Sequence, residues 1–104
     1  TPEEAVELIR QAGGVSVLAH PGLLREDSFI ADLVACGLAG IEVYYPGHAR
    51  DTVEKYEAMA AKWGLVATGG SDFHGGPGCP VGLGHVTVPA AVVRQLARLA
   101  GWPG

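Results

Sequence analysis

Apolar positions along this chain follow two periods in turn, and their alternation marks out its elements. Thr1-Pro2-Glu3-Glu4 reads as a helix start, with Thr1 as N-cap, Pro2 at the first helical position and Glu4 closing a capping box. Behind it Val6, Ile9 and Ala12, with Ala5 and Leu8 beside them, form one apolar face, and Gly13-Gly14 stops the helix. Residues 15–19 are instead a run apolar but for Ser16, read as a strand covered on both faces of a parallel sheet. His20-Pro21-Gly22 turns the chain out. A second helix is predicted from about Asp27 to Cys36, with Phe29, Ile30, Leu33 and Val34 inward and Gly37 at its end. Residues 41–45 follow as a second strand, stopped by Pro46-Gly47. Asp51 is the expected cap of a third helix, with Glu54 in the capping-box position. Val53, Tyr56, Met59, Ala60 and Trp63 share one face of it, and Gly64 ends it. Residues 65–68 read as a third strand.

After a Gly/Pro-rich loop over residues 69–84, residues 85–88 suit a fourth short strand. Pro89 leads into a last helix with Val92, Val93, Leu96 and Leu99 on its face, stopped by Gly101. Helix and strand alternate throughout, which predicts an α/β class with parallel strands alternating with helices. At 104 residues the chain makes at most one domain. It opens with Thr1, not Met, and already inside a helix start, so it reads as a piece of something longer.

Charge narrows the function classes. The net charge is −4 and the seven Lys and Arg residues form no run, which argues against an extended nucleic-acid groove. An anionic substrate has to be held by metal or by a few placed side chains. Cys36 and Cys79, in a chain without secretory features, read as free thiols in a reducing cytosol. Cys36 reads as a small core residue and Cys79 as a bystander in the long loop. No apolar run reaches membrane length.

Candidate chemistry gathers on Gly69-Gly70-Ser71-Asp72-Phe73-His74-Gly75, with Ala19-His20-Pro21 as its upstream partner. Asp72 and His74 are two apart, so in extended backbone they share one side. A carboxylate and an imidazole there, with a second imidazole on a neighbouring strand end, make a donor set that suits Zn, Mn or Fe. His20, His48, Asp72 and His74 each follow a strand and precede a helix. Such loops share the rim at the carboxyl ends of parallel strands, where active sites of these folds gather. Helix starts near Asp27 and Asp51 present their positive ends to the same rim.

Arg25 and Arg50 lie on that rim and suit bidentate phosphate binding, although each alone reads equally as a solvated side chain. Taken singly, His20 reads as a structural histidine, Asp72 as a turn cap, and His74 and His48 as loop residues. Glu42, inside the second strand, is a charge in need of a partner. Tyr44, Tyr45 and Trp63 read as core, and His85 carries no signal.

Together the runs VLAHPG, GIEVYYPGH and TGGSDFHG, in that order, resemble the last third of a PHP (polymerase and histidinol phosphatase) domain of the small phosphoesterase branch. The resemblance covers residues 14–84. It implies the C-terminal portion of a distorted seven-stranded β/α barrel, so that residues 1–104 form a single partial domain whose N-terminal metal-ligand half is absent. It further implies His20, Asp72 and His74 as metal ligands in a cluster of up to three Zn, Mn or Fe ions. His48 is implied to lie beside the substrate phosphate as hydrogen-bond partner or proton donor. Leu23 stands where relatives often carry an Arg after HPG.

The implied activity is metal-assisted hydrolysis of phosphomonoesters, such as nucleotide 3′,5′-bisphosphates or RNA and oligonucleotide ends, by a cytoplasmic enzyme without a membrane partner. Histidinol phosphate is the alternative substrate, and a PHP module kept as structure or partner surface is the alternative from another class. Three ligands cannot fill such a cluster, so the chain alone is expected to be inactive and, with cut sheet edges, to self-associate.

Overall fold

The structure, a computed structural model, describes residues 1–23, 27–71, 86 and 88–101. Helices and strands alternate: α1 (Pro2–Gln11), β1 (Val17–Leu18), a 3₁₀ turn (Pro21–Leu23), α2 (Ile30–Ala35), β2 (Gly40–Tyr44), α3 (Arg50–Trp63), β3 (Val66–Gly69) and α4 (Ala90–Leu99). The strands form one parallel sheet in the order β1-β2-β3, as crossovers through helices require. Gly40 of β2 pairs with Val17 on one side and Val66 on the other. A Cβ there would lie 3.0 Å from the Val66 carbonyl oxygen and 3.2 Å from Val17 Cγ2, so a bare backbone lets the three strands close. Between Glu42, which faces Thr68, and Tyr44, which faces Gly69, the register shifts. Such irregularities re-aim side chains at strand ends.

The predicted cap of α1 is present: Thr1 Oγ1 accepts the Glu4 N–H at 3.2 Å. The predicted cap of α3 is not Asp51. Ala49 holds that position without a side-chain bond, and Asp51 lies in the first turn, its Oδ1 accepting the Thr52 N–H at 2.9 Å. A tight turn, with His48 N–H donating to the Tyr45 carbonyl at 2.9 Å, delivers the chain into the helix before Asp51 is reached. α2 likewise starts later than expected, with Phe29 before it, because the Asp27 carboxylate is committed to Tyr56 and Lys55 of α3. Gly64 ends α3 at φ 65°, a left-handed conformation that glycine adopts without penalty.

The core lies between α2, α3 and β2, built from Ile30, Leu33, Leu38, Ile41, Val43, Tyr56, Ala60 and Leu65, with Val6 from α1. Cys36 packs against its edge as a free thiol. Beyond this core the apolar faces are less covered than their patterns predict. β1 has only two residues and Val17 is 37% exposed, so it is not a strand buried on both faces. Leu8 and Ile9 of α1, and Val93 and Leu99 of α4, are also exposed, leaving Val6 and Val92 as the buried anchors of those helices. An apolar cleft of about 300 Å³, lined by Val15, Val17, Val93, Leu96, Ala97 and Ala100, separates α4 from β1.

Of the expected fourth strand, His85 and Thr87 lie outside the described residues, and Val86 and Val88 are not in a strand. Cys79 lies outside them too. No described helix is long and apolar enough to cross a membrane.

Candidate active site at the strand ends

β1 delivers His20 to the carboxyl end of the sheet in an unusual conformation. Its φ is 28°, the positive value of a non-glycine residue, and a left-handed L-residue costs about 1–2 kcal/mol. Such strain persists only where surrounding contacts over-determine it. Here the His20 N–H donates to Glu42 Oε1 at 2.8 Å. Oε2 of the same carboxylate lies 3.8 Å from where a Cβ on Gly70 would stand, so Glu42 sits between the loop after β1 and the chain leaving β3. Gly70 N–H in turn donates to the Tyr44 carbonyl at 3.0 Å, which keeps that exit alongside the end of β2.

The next free N–H in the loop is that of Gly22, and it donates to His48 Nε2 at 3.0 Å. His48 is 9% exposed, and its Nδ1 lies 2.8 Å from the Val43 carbonyl oxygen. A carbonyl only accepts, so Nδ1 carries the proton and Nε2 is the acceptor: the two bonds fix one neutral tautomer. Gly22 must be glycine for this contact, because a Cβ would lie 2.5 Å from His48 Cδ2 and 2.7 Å from Nε2.

A row of rings runs along this rim. The Tyr45 ring centroid is 5.3 Å from that of His20 and 5.2 Å from that of His48, which in turn is 5.4 Å from that of Tyr56. Tyr56, 1% exposed, donates its hydroxyl to Asp27 Oδ1 at 2.7 Å, and Lys55 pairs with the other oxygen. Burial pushes the Asp27 carboxyl up, but hydrogen bonds from Lys55 and Tyr56 and the charge of Lys55 outweigh it, and the group sits below the usual aspartate range. Burial, then the hydrogen bond to Asp27 and its charge, push the Tyr56 hydroxyl well above the tyrosine range.

The residues singled out from the sequence fare differently. His20 is on the rim, and its Nδ1 is a buried side-chain nitrogen without a hydrogen-bond partner among the described residues. That state suits a metal donor, since an unpaired buried polar atom is otherwise costly. His48 is on the rim too, but both its nitrogens are engaged, so the implied role as phosphate partner or proton donor is not open to it as it stands. Arg50 opens α3 with a side chain 95% exposed and 3.9 Å from Glu54, in solvent rather than over the site. Arg25, Asp72 and His74 lie outside the described residues.

Among the described residues no group of three or more His, Cys, Asp or Glu is assembled for a metal ion; His20 fits as one donor. Glu42 was legible as a charge needing a partner, but the partner, a strained main-chain N–H 22 residues away, was not. Tyr44 and Tyr45, expected in the core, are half-buried, and Tyr44 donates to Glu57 Oε2 at 2.9 Å.

No family profile matches the chain. Its sequence is 44% identical over 72 residues to a phosphoribosyl 1,2-cyclic phosphate 1,2-diphosphodiesterase from Eggerthella lenta, covering 69% of this chain and 28% of that protein. It is 42% identical over 101 residues to a 3′,5′-nucleoside bisphosphate phosphatase from Chromobacterium violaceum, covering 92% of this chain and 35% of that protein. The fold superposes with a TM-score of 0.86 on a protein assigned as a metal-dependent phosphoesterase from Bifidobacterium adolescentis, at 34% identity over 95% of this chain and 36% of that one. The chain is related to PHP-type phosphoesterases. A further superposition, with a TM-score of 0.74 and 34% identity, is on an amidohydrolase from Chromobacterium violaceum solved with bound sulfate and no metal; it covers 95% of this chain and 37% of that one. The chain spans about a third of the length of the curated relatives it matches.

Proposed function

We propose that the protein carrying this chain is a metal-dependent phosphoesterase of nucleotide phosphomonoesters, such as nucleoside 3′,5′-bisphosphates, or of RNA and oligonucleotide ends. The observation that carries this reading is His20: a strained residue on the rim of a parallel sheet, fixed through its main chain, with a buried ring nitrogen that has no partner among the described residues. In this reading His20, Asp72 and His74 are metal donors, and the ions are Zn, Mn or Fe, up to three in the complete protein. The three strands belong to a seven-stranded β/α barrel working in the cytoplasm. A divalent ion, when bound, polarises a phosphoryl oxygen and so eases attack on phosphorus. The chain's own side chains set where that ion sits, and Arg25 supplies a guanidinium group to the phosphate. The 104 residues by themselves turn over no substrate and associate with copies of themselves.

The test is phosphate release from a nucleoside 3′,5′-bisphosphate by the full-length protein. Release is expected only with added Mn²⁺ or Zn²⁺, and is expected to fall at least about a hundredfold in His20→Ala and His74→Ala, with unchanged circular dichroism. Turnover that survives chelation, or a His74→Ala variant of wild-type rate, refutes the reading.

A further inference from the structure

We propose that Glu42 and His48 are positioning residues that clamp the His20-Pro21-Gly22 loop and thereby aim the His20 ring; the inference rests on the reading of His20 as a metal donor. The loop offers two N–H groups, since Pro21 has none. Both are taken by side chains of the segment that begins with β2, that of His20 by Glu42 and that of Gly22 by His48. Each clamp arm is itself anchored on β2. Glu42 belongs to the strand, and His48 is held by the carbonyl of its neighbour Val43. Two adjacent strand residues therefore dictate the path of the loop from both ends.

The path they dictate is one that His20 does not adopt freely, at φ 28°. The clamp uses only main-chain N–H groups of the loop, so it fixes the ring without consuming Nδ1, which stays buried and without a partner among the described residues. Gly22 completes the device, because any side chain there would displace the His48 ring. A histidine that served substrate directly would keep a nitrogen free. His48 keeps none, and its proton is fixed at Nδ1 by Val43. This assigns the implied proton donor to a different task, that of holding the neighbouring histidine.

Two measurements on the full-length apoprotein test the clamp. The ¹⁵N spectrum of a histidine-labelled sample is expected to show His48 protonated at Nδ1 and not at Nε2, with a through-hydrogen-bond coupling between Nε2 and the Gly22 amide nitrogen. A proton on Nε2, or an absent coupling, overturns the proposal whatever the variants do. Titration with Mn²⁺ alone is then expected to show affinity lowered at least about tenfold in Glu42→Ala and Gly22→Ala. Glu42→Gln keeps an oxygen for the His20 N–H and is expected to stay within about threefold of wild type. Wild-type affinity in Glu42→Ala, or equal losses in Gln and Ala, refutes the positioning role. If Glu42→Ala does not fold, a loss in Glu42→Gln refutes it and retention beside a loss in Gly22→Ala supports it. His20→Ala separates the two ideas: unchanged Mn²⁺ affinity there refutes His20 as a donor, while a coupling seen at His48 still establishes the clamp geometry.

Discussion

Tyr56 shows how a single residue joins the core to the rim. Its ring fills the middle of the core, and its hydroxyl reaches Asp27, just ahead of α2. The periodicity of α3 marks Tyr56 as inward, but nothing in the spacing of residues names a partner 29 positions earlier. The same holds for Glu42 and His20. Sequence pattern reports which face a residue takes, whereas a polar partner across two elements depends on how they pack. Tyr56→Phe removes a hydrogen bond to a charged acceptor and is expected to cost about 1.5–3 kcal/mol in urea unfolding. Lys55 is half-exposed and contributes little through its ion pair. The Asp27 carboxyl is depressed in the folded state, so its contribution is complete above the ordinary aspartate value of 3.8 and is lost as pH falls through the lower folded value. Tyr56 acts at the opposite end: its raised hydroxyl contributes fully below the ordinary value of 10.0, and that part is lost as pH rises beyond it. Unfolding midpoints of wild type, Asp27→Asn and Tyr56→Phe across pH check both signs, the acid loss being expected to flatten in Asp27→Asn and the alkaline loss to disappear in Tyr56→Phe.

Elements were legible where a local device defines them. Thr1 and Glu4 lie within one turn, so the start of α1 could be read directly, and Gly64 marks the end of α3 as expected. The start of α3 departs from the expected cap at Asp51 because the turn at Tyr45 to His48, held by a main-chain bond and a buried imidazole, sets it earlier in the chain. The glycines at the two ends of β3 separate two physical demands. Gly64, just before it, has φ 65° with nothing within 4 Å of an added Cβ, so Gly64→Ala carries only conformational strain, about 1–2 kcal/mol. At Gly69 a Cβ would lie 2.6 Å from Tyr44 Cβ and 2.7 Å from both the Tyr44 carbonyl oxygen and Val88 Cγ1. Gly69→Ala is therefore expected to cost more, about 3 kcal/mol, because β3 must move away from Tyr44 of β2 and from Val88 ahead of α4. Chemical unfolding ranks the pair, and amide shifts at Tyr44 and Val88 are expected to move in Gly69→Ala and stay in place in Gly64→Ala.

At the scale of the molecule, the parallel order β1-β2-β3 follows from the repeated helix–strand alternation, and the common rim follows from that order. What the pattern could not show is how much of each apolar face finds cover. Hydrophobic periodicity states that a face is to be buried; it does not say against what. Val17, Val93 and Leu99 are 37%, 65% and 56% exposed, and two of them line the cleft beside β1. Among the described residues β1 has a strand neighbour on one side only, so its outer backbone groups are a template for pairing. Apolar surface of this kind drives association at about 25 cal/mol per Å² removed from water. Expressed by itself, the 104-residue chain is expected to sediment as a dimer or larger species with a concentration-dependent coefficient. Val93→Lys places a charge at the mouth of the cleft without touching the buried Val92 anchor, and is expected to shift the equilibrium toward monomer. A wild-type chain that stays monomeric at millimolar concentration would show that the exposed faces of β1 and α4 are too small or too divided to recruit a second copy.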